Sequence, residues 1–539
     1  MERLKIMTAL IAIVIFSALL MSCSGGGSSQ SDVPGLSTKA GSDQGRGGGR
    51  DDNPGHSDDP GSDDDDNPGH SGHRGRDGDN DDHAGGPNDT ADIPVSTAVN
   101  SQQASTMAFV PSQSQFLVVW NDLRNRNNFD YNGWAVYGQF VNSSGGFQGN
   151  NFALSPLGVE YRTPPLAAHD VAIGRSLVVW GTTGGDILGQ MINNDGTFFG
   201  NVIPIASTNT YEGIPALAFD PTQGRFLVAW LGLTNDYPIY GQLISHEGVL
   251  EGTSFIISDV SSAKLELKAV SDTQGGRFLI AWRDYRGIDI YSIRGQMVNS
   301  NGALQGSEIT IADALGSQIF PDLVYDSENR CFLVTWSDDR RFGGSAYEIY
   351  GQLIAADGVP MGSNFLISPY GGYAHAVSFD PSTTHYFLTF PKFGNRIHGQ
   401  YIAADGVVQD EAIALSDLEG VQEAPHLAYD SSSRRFLATW TDHRNGSRDI
   451  YGHTTSITVS SDPCDGQNDH VVEGCLSETD ADNQVNAICD PNLNWANHGE
   501  YVSCVAKEVR RLREARSMSA KSALQLVNEA AHSDVGKNP

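Results

Sequence analysis

Four aspartate and arginine pairs stand out in the sequence, because each follows an apolar run that ends in tryptophan. The aspartate lies two residues after the tryptophan and the arginine two residues further on, as in Asp122/Arg124, Asp284/Arg286, Asp338/Arg340 and Asp442/Arg444. One interpretation is an aspartate-anchored turn with an exposed ion pair, which adds about 0–1 kcal/mol to stability. The other is a polar face that binds a ligand. The turn is the favoured interpretation.

A connection between Asn125 and Trp134 is longer than its counterparts and contains Phe129 and Tyr131. Exposed aromatic side chains on such a loop suit contacts with a sugar or a protein, whereas packing over the protein is the favoured alternative. The predicted ligand-binding residues are Asp122, Arg124, Phe129, Tyr131, Trp134, Asp442 and Arg444. No catalytic residue or metal centre is predicted, since the repeats contain no nucleophile elbow, phosphate loop or zinc-protease motif.

Four of the six cysteines lie near the C-terminus, at spacings that do not suit a zinc knuckle. They are Cys464, Cys475, Cys489 and Cys504. An even number in an exported chain predicts two disulfides, with three possible connectivities, and leaves Cys331 free. The nearby run Asp480-Ala481-Asp482-Asn483-Gln484 alternates oxygen ligands and is a weak indication of calcium, although a solvated loop is favoured. No other cofactor is predicted.

The elements that would position these residues are seven internal repeats. Each contains an apolar run that ends in an aromatic residue, at Trp120, Trp180, Trp230, Trp282, Trp336, Phe390 and Trp440. A glycine follows in every repeat, and the next residue is glutamine six times and His453 once. A glycine in every repeat answers a packing need, so the glutamines are expected to serve the fold rather than to line a channel.

Each repeat contains four strand-like runs, here named a to d, and the c and d runs are joined by hairpin pairs such as Asp195-Gly196. A repeat of about 50 residues with four strands predicts one propeller blade. The fold class is therefore all-β, with a seven-bladed β-propeller over residues 92–459. The last repeat lacks its own d strand, so Ile93–Ser96 is expected to complete the seventh blade and close the ring.

The repeated pattern, of the form Phe-Leu-Val-x-Trp-x-Asp-x-Arg followed by Asp-Ile-Tyr-Gly-Gln, resembles repeats of uncharacterised secreted bacterial proteins. Its period is also similar to that of Kelch-like propellers, although the paired glycines of true Kelch blades and the Asp-box of sialidases are missing. The resemblance covers residues 92–459. It implies a propeller and no specific activity, because propellers have many functions.

The first 23 residues resemble a bacterial lipoprotein signal, with a charged start, an apolar run and the ending Leu20-Met21-Ser22-Cys23. The resemblance implies lipidation of Cys23, and Ser24 favours the outer membrane of a Gram-negative envelope. An uncleaved membrane anchor is the alternative. Residues 24–91 are rich in glycine and aspartate and predict a disordered acidic tether. The net charge of −31 argues against a nucleic-acid partner.

Residues 460–539 form the last predicted region, which contains the cysteines and two helices. The first helix is expected from Asn497, with Tyr501, Val505, Val509 and Leu512 on one stripe, and the second over about 519–531. The segment Asn497–Ala506 resembles an Asn-His-Gly-x-Tyr-Val-Ser motif of assorted secreted prokaryotic proteins, which implies no known chemistry. A His498/Cys504 catalytic dyad is disfavoured because a disulfide-bonded cysteine is not a nucleophile.

Two functions remain open at the level of sequence. The favoured one is a lipid-anchored binding or scaffold propeller that recognises a protein or glycan partner in the cell envelope. The alternative is a propeller glycoside hydrolase or lyase, in which two carboxylates converge on a central cleft. An enzyme is the less favoured of the two, and the sequence predicts no acid and base pair for it.

Overall fold

A computed structural model describes residues 91–535. Short gaps fall at 126–132, 157–158, 160–162, 209–210, 235, 286–289, 345, 372–373, 393–395 and 419, a longer one at 457–475, and others at 477, 494, 496, 515–517 and 519. The described residues form seven four-stranded antiparallel sheets and three helices. This confirms the predicted seven-bladed β-propeller with a helical C-terminal region.

Strands a to d of the first four blades follow one another along the chain. Blade 1 consists of β2 (Gln102–Val110), β3 (Gln115–Asp122), β4 (Ala135–Asn142) and β5 (Phe147–Ala153). Blade 2 consists of β6 (Leu166–Asp170), β7 (Arg175–Gly181), β8 (Ile187–Asn193) and β9 (Phe198–Ala206). Blade 3 consists of β10 (Glu212–Asp220), β11 (Arg225–Gly232), β12 (Ile239–Ser245) and β13 (Leu250–Ser258). Blade 4 consists of β14 (Ala263–Asp272), β15 (Arg277–Tyr285), β16 (Tyr291–Asn299) and β17 (Leu304–Ala312).

The last three blades continue this order, except that the d strand of blade 7 comes from the N-terminal side of the ring. Blade 5 consists of β18 (Gln318–Asp326), β19 (Cys331–Asp338), β20 (Tyr347–Ala355) and β21 (Pro360–Gly371). Blade 6 consists of β22 (Ala376–Asp380), β23 (His385–Lys392), β24 (Arg396–Ala403) and β25 (Val408–Ala414). Blade 7 consists of β26 (Gln422–Asp430), β27 (Arg435–Asp442), β28 (Asp449–Ser456) and β1 (Ile93–Ser96).

Strand β1 pairs antiparallel with β28, with Ile93 opposite Gly452. Ile93 and Val95 are buried beside Phe116 of blade 1 and Leu437 of blade 7. The predicted closure of the ring is therefore confirmed. The a strands of successive blades lie against one another in a closed circle around the central channel. Each a strand starts beside the end of its b strand, so the starts of the a strands and the b–c loops lie on the same face of the propeller. On this face, the central channel opens between the b–c loops.

The core lies between blades, because a blade presents apolar side chains to both neighbours. Trp120, Trp180, Trp282, Trp336 and Trp440 are almost completely buried. In one hydrophobic cluster, Leu177 and Ile205 of blade 2 pack with Phe226 of blade 3. The c–d hairpins turn as predicted, since Gly196 has a φ of 85°, which only glycine adopts readily.

The C-terminal region forms α1 (Glu478–Ile488), α2 (His498–Glu514) and α3 (Ala520–His532). The predicted stripe of α2 is buried, and α2 and α3 pack on β21, the outer strand of blade 5. The helices therefore share one hydrophobic cluster with blades 5 and 6. Within the described residues, no helix is both long enough and apolar enough to cross a membrane.

Candidate functional site

The Asp122/Arg124 pair belongs to a compact hydrogen-bonded unit at the end of β3. Trp120 Nε1 donates to Asp122 Oδ2 over 2.8 Å, and the Arg124 backbone N–H donates to Asp122 Oδ1 over 2.8 Å. The Arg124 guanidinium also bonds Asp122 Oδ2 at 2.6 Å and lies 4.1 Å from the centre of the Tyr137 ring. The aspartate therefore anchors the turn, as the favoured interpretation predicts.

The same unit recurs in blades 5 and 7. Asp338 and Asp442 accept from the indoles of Trp336 and Trp440, and their arginine partners stack on tyrosines. The three aspartate side chains are 0–1% exposed and the three arginine side chains 15–21%. The expectation of an exposed ion pair was therefore wrong, because the aspartate is buried against a tryptophan and the arginine stacks on a tyrosine ring. Asp284 is also buried, while its partner Arg286 lies outside the described residues.

Burial alone would raise the pKa of the Asp442 carboxyl, but hydrogen bonds from Arg444 and Trp440 outweigh it and lower that pKa. The carboxylate thus stays ionised inside the blade, where it satisfies both donors. A ligand-binding role for Asp122, Arg124, Asp442 and Arg444 remains a prediction, and the geometry already gives each of them a structural task.

The long loop of blade 1 is described only at its ends. Phe129 and Tyr131 lie outside the described residues. Trp134 is 9% exposed and packs with Leu123 and Val159 in the cluster between blades 1 and 2. For Trp134 the structure thus shows the favoured alternative, packing over the blade.

The glutamines of the repeats lie inside the blades. Gln242 Nε2 donates to the carbonyls of Leu243 and Glu251 over 3.0 Å each, which ties the c strand to the d strand. A side chain at the preceding Gly241 would place its Cβ 2.8 Å from the Phe255 ring. Both residues therefore serve packing, as expected.

The structure brings together a polar sector in the central channel that the sequence analysis missed. In each blade, one residue of the a strand pairs with the b-strand residue that precedes the aromatic residue of the repeat. In blade 4, for example, Lys268 lies opposite Ala281, which precedes Trp282. Around the ring these positions are Thr106, Leu166, Ala216, Lys268, Asp322, Ala376 and His426. Charged or ionisable residues thus occur there only in blades 4, 5 and 7.

Lys268 and Asp322 form an ion pair across the boundary between blades 4 and 5, with Nζ 3.0 Å from Oδ1. The backbone N–H of Val377, in blade 6, donates to the second oxygen of Asp322 over 3.0 Å. Burial acts to raise the pKa of Asp322, but Lys268 and these neighbours lower it overall. The lysine side chain is 42% exposed and the aspartate 15%, so the ammonium is the part of the pair that meets the channel.

Two histidines complete this sector. His375 Nε2 is 2.9 Å from Thr335 Oγ1, and His426 lies near Lys268 and Asp322. Burial, together with the Lys268 charge, lowers the pKa of both imidazoles to about 4, although Asp322 acts to raise it. Both rings are therefore neutral at pH 7.

Bulges near the start of five a strands hold a non-glycine residue at positive φ. In blades 1, 3 and 7 this residue is Ala104, Ile214 or Ala424, whereas blades 4 and 5 carry Glu266 and Phe320, each with a φ of 54°. Because the same bulge recurs in five blades, it belongs to the repeat, and what distinguishes blades 4 and 5 is the side chain that the bulge carries. Blades 4 and 5 thus place a carboxylate and an aromatic ring on the b–c side of the channel.

Glu266 is fixed by two contacts. Its Oε1 lies 3.1 Å from Arg283, and its Oε2 accepts the backbone N–H of Phe320 over 2.6 Å. Burial raises the pKa of Glu266 although Arg283 and Lys268 oppose it. A signal was present in the sequence, since Lys264, Glu266 and Lys268 alternate along a strand that should be buried. We call Glu266, Lys268, Phe320 and Asp322 the channel cluster.

The cysteine predictions are tested only in part. Cys489 and Cys504 are bonded, whereas Cys464 and Cys475 lie outside the described residues. Cys331 is free and buried, and burial raises the pKa of its thiol. The run Asp480–Gln484 forms part of α1, so the expected solvated loop was wrong. The calcium prediction remains untested.

No family model and no curated protein matches this chain. Solved structures do: a lectin of Burkholderia pseudomallei has a TM-score of 0.50 at 13% identity, over 66% of this chain and 97% of the lectin. An arabinofuranosidase of Fusarium graminearum has a TM-score of 0.43 at 9% identity, over 69% and 100%. A protein of unknown function from Dyadobacter fermentans has a TM-score of 0.42 at 11% identity, over 69% and 100%. At such identities the lectin supports the propeller fold alone.

Proposed function

We propose that this protein is a lipid-anchored binding propeller of the cell envelope, which engages a glycan or protein partner at the channel cluster. The observation that carries the proposal is the confinement of Glu266, Lys268, Phe320 and Asp322 to two neighbouring blades. A ring needs no charge at these positions, because blades 2, 3 and 6 have leucine or alanine where Lys268 and Asp322 stand, and blades 1, 3 and 7 have alanine or isoleucine where Glu266 stands. Departure from the repeat at one place in the channel is what a specific site requires.

The chemistry of the cluster suits recognition of a polar partner. Lys268 offers N–H donors, and Phe320, whose backbone N–H bonds the Glu266 carboxylate, adds an aromatic side chain. Hydroxyl-rich sugars and polar peptide segments both combine such acceptors with apolar patches. A lectin shares the propeller fold, which is compatible with a glycan but does not select one. Anchoring rests on the signal ending at Cys23 and on the acidic tether.

A glycoside hydrolase or lyase is the second candidate, because one observation favours it. Glu266 has a raised pKa and Asp322 a lowered one, and both lie near Lys268. Paired carboxyls with diverging pKa values are the pattern of an acid and a base. Binding is favoured because both carboxylates are held in ion pairs and their side chains are only 18% and 15% exposed.

The test compares Lys268→Gln and Phe320→Ala with Arg225→Gln. Arg225 is the first residue of β11 and pairs with Glu251, at the end of the strand that is opposite to the b–c loop. Its variant therefore removes one positive charge, as Lys268→Gln does, but at a place away from the channel cluster. Binding is measured on arrays of envelope polysaccharides and by capture from envelope extracts. We expect Lys268→Gln to lose about tenfold or more in affinity, the value of a charged hydrogen bond, Phe320→Ala to bind more weakly because an apolar contact is lost, and the control to lose less than twofold.

Equal binding by all three variants would refute the channel site. Release of sugars by the purified protein, abolished in Glu266→Gln, would instead establish the hydrolase or lyase. The melting temperature of each variant is measured in parallel, so that loss of fold is distinguished from loss of binding.

A further inference from the structure

Three side chains converge where the ring closes. Asp92 directly precedes β1, Asp417 follows β25 of blade 6, and His453 lies on β28. A carboxylate oxygen of each aspartate and a ring nitrogen of the histidine lie within 4.8 Å of one another. These three segments are far apart in sequence, so the cluster exists only in the closed ring.

Blades 1 and 5 show what the fold normally places here. In blade 1, Asn151 Nδ2 donates to Gln139 Oε1 over 2.8 Å, and in blade 5 Asn364 does the same to Gln352 over 2.7 Å. Asn151 and Asn364 precede the d-strand residue that lies opposite the repeat glycine.

Asp92 and His453 hold these two places in blade 7, since Ile93 lies opposite Gly452. The nearby arginine is common to all three blades, because Arg124 reaches Asn151 over 3.1 Å, and Arg444 reaches Asp92 over 2.6 Å. Blade 7 has therefore replaced a neutral amide pair with a carboxylate and an imidazole, which are metal ligands.

His453 supplies the independent sign of a missing partner. The residue is 4% exposed, and its Nδ1 makes no hydrogen bond to the described residues. That nitrogen lies 3.8 Å from Asp92 Oδ1, which is too far for a hydrogen bond. Two ligands of one tetrahedral zinc ion are about 3.3 Å apart, as bonds near 2.0–2.1 Å require. A small closing movement would place an ion between the two atoms.

The two carboxylates are held near each other by the backbone. Asp92 N–H donates to Asp417 Oδ2 over 2.7 Å, and Asp417 N–H donates to the Asp92 carboxylate over 3.2 Å. Arg444 neutralises part of this charge, but it is shared with Asp442. Asp92 and Asp442 thus share one guanidinium, and Asp417 adds a further negative charge near Asp92, so a divalent cation beside Asp92 Oδ1 and Asp417 is electrostatically favourable.

We propose that Asp92, Asp417 and His453 bind a divalent transition-metal ion of the zinc type, which clasps the N-terminal strand to the ring. An imidazole with two carboxylates suits zinc better than calcium, which prefers oxygen ligands alone. The ion would reinforce a weak point, because β1 has 4 residues whereas the d strand of blade 3 has 9. Metal that binds only the closed ring stabilises it by mass action.

The test uses the full chain in detergent after treatment with a chelator, and Zn²⁺ is the probe. At a concentration 100 times the dissociation constant, Zn²⁺ should lower the unfolding equilibrium constant of the unaltered protein about 100-fold. Asp92→Asn/His453→Gln recreates the amide pair of blades 1 and 5 and should fold but show no such response. Asp417→Asn changes an exposed ligand and should weaken the response at least several-fold.

Acidic and histidine residues of the tether are the same in every variant, so an equal Zn²⁺ response in all of them would overturn the proposal. An equal response to Ca²⁺ would also overturn it, because His453 would then have no role as a ligand. Absence of any response in the unaltered protein, with Asp92→Asn/His453→Gln equally stable, would show an ion pair or a neutral contact instead. The outcome is independent of whether the channel cluster binds a partner.

Discussion

Removal of the closing strand should destabilise the propeller more than removal of most of the tether. Deletion of residues 92–98 takes away β1, which buries Ile93 and Val95 and pairs with β28. Full burial of an aliphatic side chain is worth about 1.5–3 kcal/mol, so these two contribute about 3–6 kcal/mol. Hydrogen bonds to β28 add about 0.5–1.5 kcal/mol each. The loss approaches the 5–15 kcal/mol that stabilises a typical domain.

The assay is urea unfolding followed by the fluorescence of the buried tryptophans. Deletion of residues 30–85 should leave the midpoint almost unchanged, since the sequence predicts a tether there. Val95→Ala should lower the free energy of unfolding by about 1–3 kcal/mol, whereas Pro94→Ala, at an exposed position of the same strand, should change it by less than about 0.5 kcal/mol. Equal midpoints for the two deletions would refute the reasoning, because β1 would then contribute nothing to the closed ring.

Three further results are expected. Cys23→Ser should release the protein from membranes without changing its fold, and fractionation that finds the variant still in the membrane would contradict lipidation. Trp134→Ala should destabilise blade 1 by about 3–5 kcal/mol, measured by urea unfolding, because the side chain is buried; an unchanged midpoint would show a surface role. His375 and His426 have a pKa of about 4 in the fold against 6.5 in the unfolded chain. Their contribution to the stability of the fold is therefore complete above pH 6.5 and is lost as the pH falls toward 4. If the urea midpoint of His375→Gln falls with pH as much as that of the unaltered protein, His375 is excluded as a cause.

The sequence was sufficient for the architecture because each blade repeats the same signals. A tryptophan that ends an apolar run marks the b strand, as in Trp230. Asp195-Gly196 marks a c–d hairpin, and the early strand-like run Ile93–Ser96 marks the closure. Each of these signals comes from residues that are close together in the sequence, so it can be recognised without knowing which blades become neighbours.

The candidate site could not be predicted from such local signals in the sequence. Lys268 and Asp322 lie 54 positions apart and meet only because a strands of adjacent blades line one channel. Glu266 and Phe320 depend on strand bulges, whose positive φ has no signature in residues that are not glycine. The sequence predicts an exposed ion pair of Asp122 and Arg124, because the two groups that cover it, the indole of Trp120 and the ring of Tyr137, come from different strands.

These outcomes separate two kinds of polar residue in a repeat protein. The aspartate and arginine pairs recur, and in blades 1, 5 and 7 they make the same contacts to tryptophan and tyrosine, so the fold accounts for them there. The fold does not explain a polar residue in the same way when it departs from the repeat. Such a residue stands at a position where other blades have an apolar or amide side chain. Lys268 and Asp322 stand where Ala216 and Ala376 stand in other blades, and Asp92 and His453 stand where amides stand. Substitution toward the repeat, rather than to alanine alone, is therefore the sharper experiment for both sites, because the chain itself shows that the replacement can be accommodated.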